Sequence, residues 1–310
     1  MDGLLIIDKP AGPTSHDVVQ RVRRLLGQRR VGHGGTLDPA ATGVLVVAAG
    51  QATRFFPYLP TRRKFYEGVI RLGWSTDTYD GSGRRTGEEC RLIPGAEEVR
   101  AAMRTFEGEI LQSPPPFSAK KLEGRPAYKL ARARRDVRLK PVMVTVEAFR
   151  LLAYRPPHAE FEAVCSAGTY IRALAHDLGR TLGCGGHLAT LRRTAVGPYS
   201  IRDAVPLDEL EEAAKAGGAG RFLIPLEKLL PEAPAVAVAA GAERRVRTGA
   251  ALGPAHLAEA ASALPFPPPV PPGTSLVRLL DGSGKLLALA KLSPPGDELL
   301  PVLVLADRIS

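Results

Sequence analysis

Apolar positions along the chain fall into two rhythms. Val18, Val19, Val22, Leu25 and Leu26 recur at helical spacing, with Ser15 as the expected N-cap and Gly27 just past the end. Val99, Ala102, Met103 and Phe106 predict a second helix closed by Gly108, and Ile171, Leu174, Ala175, Leu178 and Leu182 a third. Strands are predicted at Val44–Ala48, Val69–Leu72, Val142–Ala148 and Phe161–Cys165; the last two alternate apolar residues with others, as half-buried strands do. These elements do not follow a steady β-α-β-α order. That disfavours a doubly wound fold and predicts an α+β fold built on a mixed sheet with flanking helices.

The pattern changes near residue 230. Gly217, Gly218 and Gly220 punctuate the chain, and Pro225, Pro231 and Pro234 then break any long helix. Prolines 265, 267, 268, 269, 271 and 272 predict a stiff surface excursion. Two short strands follow, Leu276–Leu280 and Leu286–Leu292, with Asp281-Gly282-Ser283-Gly284 between them as a hairpin signal. We therefore expect two domains, residues 1–230 and a small β-rich unit at residues 231–310, which accords with a length of 310 residues.

Charge sharpens this division. The formal net charge of +10 lies wholly in residues 1–230, because residues 231–310 carry seven basic and seven acidic side chains. Phe117 to Pro141 alone holds nine Lys or Arg against Glu123 and Asp136, an electrostatic footprint for a polyanion. Arg outnumbers Lys by 32 to 10; guanidinium suits phosphate and base edges, although a GC-rich genome would supply Arg as readily.

Other classes are disfavoured. No apolar run is long enough to span a membrane, and the N-terminal segment, with acidic Asp2, is no signal peptide. Cys90, Cys165 and Cys184 are too few and too scattered for a disulfide framework, so a cytoplasmic location is expected. Neither G-x-x-x-x-G-K-[ST] nor G-x-S-x-G occurs. Cys165, His176, Cys184 and His187 lie close in sequence but match no zinc spacing, so no metal site is expected.

The segment that carries chemistry is residues 31–47, Val-Gly-His-Gly-Gly-Thr-Leu-Asp-Pro-Ala-Ala-Thr-Gly followed by Val-Leu-Val-Val. It is a Gly-rich loop holding one carboxylate, Asp38, ahead of a buried strand; Pro39 restricts Asp38 to extended geometry. Taken alone, Asp-Pro is an ordinary turn. The longer string resembles the active-site motif of the pseudouridine synthases, and within them the TruB branch, which modifies uridine-55 in the T loop of transfer RNA. Residues 5–15, with Lys9, Pro10, Gly12 and Ser15, resemble that family's opening strand and turn. Lys64-Phe65-Tyr66, Asp77-Thr78-Tyr79-Asp80, Gly168-Thr169-Tyr170-Ile171-Arg172 and Leu191-Arg192-Arg193 follow in the family's order.

The resemblance implies a largely antiparallel sheet of the pseudouridine synthase type, with a PUA-like RNA-binding domain at the C-terminus. It implies a stand-alone enzyme that acts on the T stem-loop of transfer RNA without guide RNA; a monomer is the default expectation, and no cofactor is expected because the isomerisation needs no redox change, phosphate transfer or external energy. Isomerising uridine breaks the N1–C1′ bond and remakes it at C5, which needs one ionised carboxylate. Asp38 is that carboxylate by resemblance; it could attack C1′, add to C6 of the ring, or take a proton from C2′. A desolvated carboxylate tends to protonate, and Arg172 would hold it ionised. Tyr66 would stack on the base and assist proton removal from C5, with Tyr170 and Leu191 walling the pocket. A stacked uridine must be flipped out, and His33 would fill the space it leaves. Lys9 and Asp80 are further candidates for lining the site. Two other readings stay open: an RNA-binding module in which Asp38 is incidental, and a sugar hydrolase, for which no second carboxylate partner stands out.

Overall fold

The computed structural model describes residues 1–117, 121–122, 125–126, 139–258, 275–294 and 296–305. Most of the basic stretch between Lys120 and Arg138, and the proline run at 265–272, lie outside the described residues.

A ten-stranded sheet organises the first 230 residues. Its main strands are β1 (Gly3–Lys9), β2 (Val31–His33), β3 (Thr42–Ala49), β4 (Arg63–Leu72), β5 (Gly108–Gln112), β6 (Val142–Arg155), β7 (His158–Ser166) and β8 (Gly186–Val196). The spatial order runs β1–β3–β8–β4–β7–β6–β5, with β2 also paired to β3. All these pairs are antiparallel except β3–β8, which is parallel and joins residues about 150 apart in the chain. The sheet is thus mixed and largely antiparallel, as expected.

Alternation sends successive side chains of β1 and β3 to opposite faces. Leu5, Ile7, Leu45 and Val47 pack against helix α1 (Ser15–Leu25). Leu4, Ile6, Val44 and Val46 share a core with Leu276, Leu286, Leu289 and Leu303 of the C-terminal region. At the other end of the sheet, Tyr66, Ile70, Val146, Phe149 and Phe161 pack against α2 (Ala96–Arg104) and α3 (Ile171–Thr181). The opposite face of that end carries Glu67, Glu160 and Arg150, which is why β4, β6 and β7 run longer than their apolar positions alone suggest.

Two sequence expectations are corrected. The N-cap of α1 is Thr14, not Ser15: Asp17 N donates to Thr14 Oγ1 and Thr14 N donates to Asp17 Oδ2, a reciprocal capping box. Ser15 is instead buried against the Asp38 loop. Gly108 does not close α2, which ends at Arg104; it opens β5 with φ +100°.

The C-terminal region holds a four-stranded sheet. Ala235–Ala237 pairs in parallel with Leu276–Leu280, which forms the expected hairpin with Leu286–Leu292. Leu299–Val304 adds a further antiparallel strand at the edge, where Pro301 can be tolerated.

Candidate active site

The Asp38 loop is held by its backbone. Ser15 Oγ donates to Leu37 O at 3.1 Å and accepts from Leu37 N at 2.8 Å. Gly12 N donates to Pro39 O at 2.8 Å. The Lys9 ammonium, fully buried, donates to Pro10 O, Pro13 O and Pro39 O at 2.8, 2.9 and 3.2 Å. From the far side, the buried Arg193 of β8 donates to Gly35 O, Thr36 O and Val44 O at 3.2, 3.3 and 2.7 Å. Gly43 permits this approach. Its φ is +100°, and a Cβ there would fall 2.2 Å from Arg193 O.

Among the described residues, the Asp38 carboxylate meets one guanidinium. Arg172, in the first turn of α3 and 8% exposed, places Nε 2.8 Å from Asp38 Oδ2 in an ion pair, and its Nη2 donates to Asp38 Oδ1 at 3.2 Å. The same head group reaches Asp80 Oδ2 at 3.3 Å, Thr78 O at 3.1 Å and Phe117 O at 3.0 Å. Asp80 is itself fixed by Thr78 Oγ1 and by Ser82 N and Oγ. Between Thr78 and Asp80, Tyr79 takes a left-handed φ of +66° and stacks on His176 of α3, ring centroids 3.8 Å apart and 11° from parallel. Gln112 of β5 anchors the start of α3, donating to Tyr170 O and accepting from Tyr170 N.

Two cavities open on either side of Asp38. One of about 200 Å³ is lined by Asp38, Lys64, Tyr66, Tyr170, Arg172 and Leu191, among others. The other, of about 170 Å³, shares Asp38, Arg172 and Leu191 and adds Asp80 and Ser82. A larger cleft of about 820 Å³ lies elsewhere, between Tyr58, Phe65 and Leu276; Arg62, Arg63, Glu232 and Lys291 also line it, but none of the eight residues singled out from the sequence does.

The electrostatics follow from enclosure. Burial raises the Asp38 carboxyl above the ordinary carboxylate range, Arg172 pulls it down, and Asp80 pushes it up; the net direction is upward. Arg172 therefore opposes protonation of Asp38 without cancelling the effect of burial. Burial also raises the Tyr66 phenol, which lies beside Arg193, so it stays neutral. Burial brings both Lys9 and Lys64 down to about 8.

Of the eight residues singled out from the sequence, Asp38, Tyr66, Arg172, Tyr170, Leu191 and Asp80 converge on the two cavities. Lys9 does not line them; it lies beneath the loop as a clamp on carbonyls. His33, on β2, also lines neither: its Nδ1 faces Gly35 N at 3.4 Å. Sequence reasoning missed Arg193, Lys64, Ser15 and Gln112 as site-forming residues. For Lys64 the signal was present, since it stands two before Tyr66 in a strand and so shares its face. Among the described residues no group of three or more His, Cys, Asp or Glu is placed to hold a metal ion, and no helix is long and apolar enough to cross a membrane.

With this geometry, the chain matches the model of the TruB family pseudouridylate synthase N-terminal domain over residues 23–171. It matches that of the tRNA pseudouridylate synthase B C-terminal domain over residues 172–231. It is 49% identical over 265 residues to the tRNA pseudouridine synthase B of Thermobifida fusca, covering 82% of this chain and 87% of that one. The corresponding protein of Solibacter usitatus is 46% identical over 249 residues, 80% and 85% of the two chains. That of an Arthrobacter species is 41% identical over 307 residues, 96% and 99%. Among solved structures, an H/ACA RNP bound to a substrate RNA containing 2′-deoxyuridine superposes with a TM-score of 0.69 at 26% identity, over 99% of this chain and 86% of that one. The archaeal box H/ACA sRNP Nop10-Cbf5 complex gives 0.67 at 27% identity, over 99% and 87%.

Proposed function

The chain belongs to the TruB family of pseudouridylate synthases, and from that premise we propose that it converts uridine-55 in the T loop of transfer RNA to pseudouridine, with Asp38 as the catalytic carboxylate. The observation that carries this reading is the position of Asp38 between two cavities, paired to a buried Arg172 that Asp80 holds from behind.

A nucleotide turned out of the T loop would seat its base against Tyr66 and Leu191, with its ribose at the Asp38 carboxylate. Flipping costs a few kcal/mol, offset by contacts in the pocket. His33, which lines neither cavity, would occupy the space left in the RNA. Asp38 then acts as nucleophile at C1′, as nucleophile at C6 of the ring, or as base at C2′. In each case the carboxylate must be ionised at the start, and Arg172 favours that form. The Tyr66 phenol lies within the cavity; being neutral, it would assist loss of the C5 proton, once the base has rejoined, only as a relay that passes its own hydroxyl proton on to solvent as it takes the new one.

The reaction calls for no cofactor in this reading. The chain acts as a cytoplasmic monomer without guide RNA, residues 1–230 forming the catalytic domain and residues 231–310 a PUA-like RNA-binding unit. The basic residues near 120–140 would grip phosphates without reading sequence. The test is tritium release from C5-labelled uridine in a T stem-loop RNA. Wild type should release it, whereas Asp38→Asn should bind the RNA and release none. Binding by both with release by neither would leave an RNA-binding protein instead.

A further inference from the structure

Among the described residues around the cavity, three cations have partners and one does not. Arg172 is committed to Asp38 and Asp80, while Arg193 and Lys9 each donate to three carbonyls. Lys64 lines the same cavity, two residues before Tyr66 on β4. Among the described residues no carboxylate pairs with its ammonium, and no carbonyl accepts from it. Its cross-strand neighbour on β7 is Cys165. Burial pushes that thiol up to about 11, so it brings no negative charge. The other neighbour is of like sign: a Cβ built on Gly35 would lie 3.2 Å from Lys64 Nζ and 3.7 Å from Arg193 Nη1, so the two cations meet over one glycine.

Holding an ammonium beside a guanidinium and away from bulk water is unfavourable unless an anion joins them. Burial and Arg193 together draw Lys64 down to about 8, the signature of that penalty. Among the described residues the charges near the cavity sum to a surplus of two, with Lys9, Lys64, Arg172 and Arg193 set against Asp38 and Asp80. A matching ligand carries negative charge when it arrives. Uracil and ribose are neutral on arrival. The anions that an RNA strand brings are its phosphates.

We propose that Lys64 binds a phosphate flanking the flipped uridine, fixing the strand's backbone at one end of the cavity while Asp38 works on the ribose. This rests on the reading of the cavity as a uridine site. It makes Lys64 a substrate-binding residue whose contribution falls on RNA affinity ahead of the chemical step.

The experiment uses the full chain in an Asp38→Asn background, where no turnover disturbs equilibrium. Binding of a T stem-loop RNA is followed by fluorescence anisotropy across about 50–200 mM salt, with and without Lys64→Met. The expected result is weaker binding and a log–log salt slope reduced by about 0.7–0.9, the value of one phosphate contact, with Lys64→Arg restoring it. In a second arm the RNA carries an uncharged methylphosphonate on the 5′ or the 3′ side of the target uridine. At one of these linkages, Lys64→Met should cause no further loss of affinity.

An unchanged slope, or losses that add fully at both linkages, overturns the proposal. So does a Lys64→Met variant of the Asp38 enzyme that binds normally and loses only kcat, which would assign Lys64 to charge developing on the base. Thermal melts confirm that each variant is folded. Failure of the underlying reading is separate: wild type would release no tritium from the same RNA.

Discussion

Replacing Arg172 by Met removes the one guanidinium that touches Asp38 among the described residues. Three effects follow from the geometry. Asp38 loses an ion pair at 2.8 Å and a hydrogen bond at 3.2 Å. Asp80, 16% exposed, loses its cation at 3.3 Å. The carbonyls of Thr78 and Phe117 lose a donor. Breaking a fully buried pair by removing one partner costs about 3–5 kcal/mol. The Asp38 side chain is 42% exposed, so solvent in the cavities screens part of this, and roughly half is a fair expectation. At 1.36 kcal/mol per pH unit, that half raises the Asp38 protonation midpoint by about 1–2 units. The wild-type carboxyl already stands above its ordinary value because burial outweighs Arg172. Activity needs the ionised form, so it falls as pH drops through that midpoint, and the variant's fall begins at higher pH. The assay is single-turnover tritium release across pH, with Arg172→Lys as a companion that keeps the charge and loses the two-point contact. An acid limb for Arg172→Met that coincides with wild type would refute the assignment of Arg172 as the group that keeps Asp38 charged.

Two further outcomes are expected. His176→Ala removes the stack that holds Tyr79 in its left-handed conformation, worth about 0.5–1.5 kcal/mol, against a strain of about 1–2 kcal/mol at that residue. The turn then relaxes, Thr78 and Asp80 shift from Arg172, and kcat falls more than KM rises; His176→Phe, which keeps the stack, should restore kcat. Gly43→Ala adds left-handed strain of about 1–2 kcal/mol, and its Cβ would sit 2.2 Å from a backbone oxygen. It should lower Tm sharply or abolish soluble expression, whereas Gly282→Ala, with open space around it, should leave Tm unchanged.

What was legible in the sequence was what repeats at short range. The hairpin at residues 276–292 was fixed by Asp281-Gly282-Ser283-Gly284 and two apolar runs, and α1 by its apolar face and Gly27. The Asp38 motif and the Tyr170–Arg172 segment were legible through family resemblance, and the fold brings them together. What was not legible depends on long-range pairing. The parallel contact of β3 with β8 places Arg193 beside Gly43, and nothing in the local pattern of either strand announces it. Lys9 sits at the end of an apolar strand and looks like a surface terminus until three carbonyls are seen around it. Ser15 resembled an N-cap because a hydroxyl serves equally well there and one residue earlier; the helix starts with Thr14 because Asp17 completes its box.

That misreading of Ser15 exposes a division of labour in the site. Ser15, Arg193 and Lys9 hold the backbone of the Asp38 loop through Leu37, Gly35, Thr36, Val44 and Pro39, whereas Arg172 holds the carboxylate. Position and charge state are thus set by different residues and should separate in kinetics. Ser15→Ala leaves Leu37 N and O without their shared partner, a buried loss of about 1–3 kcal/mol. The loop can then depart from the geometry the reaction needs, where a 1 Å misplacement can cost about 100-fold in rate. Yet the hydroxyl is uncharged, and it is not among the groups that shift Asp38. Ser15→Ala should therefore lower kcat across the whole pH range and leave the acid limb where it is in wild type, the opposite of Arg172→Met. If both variants moved the limb equally, Asp38 would owe its charge state to the position of the loop, and the separation argued here would fall.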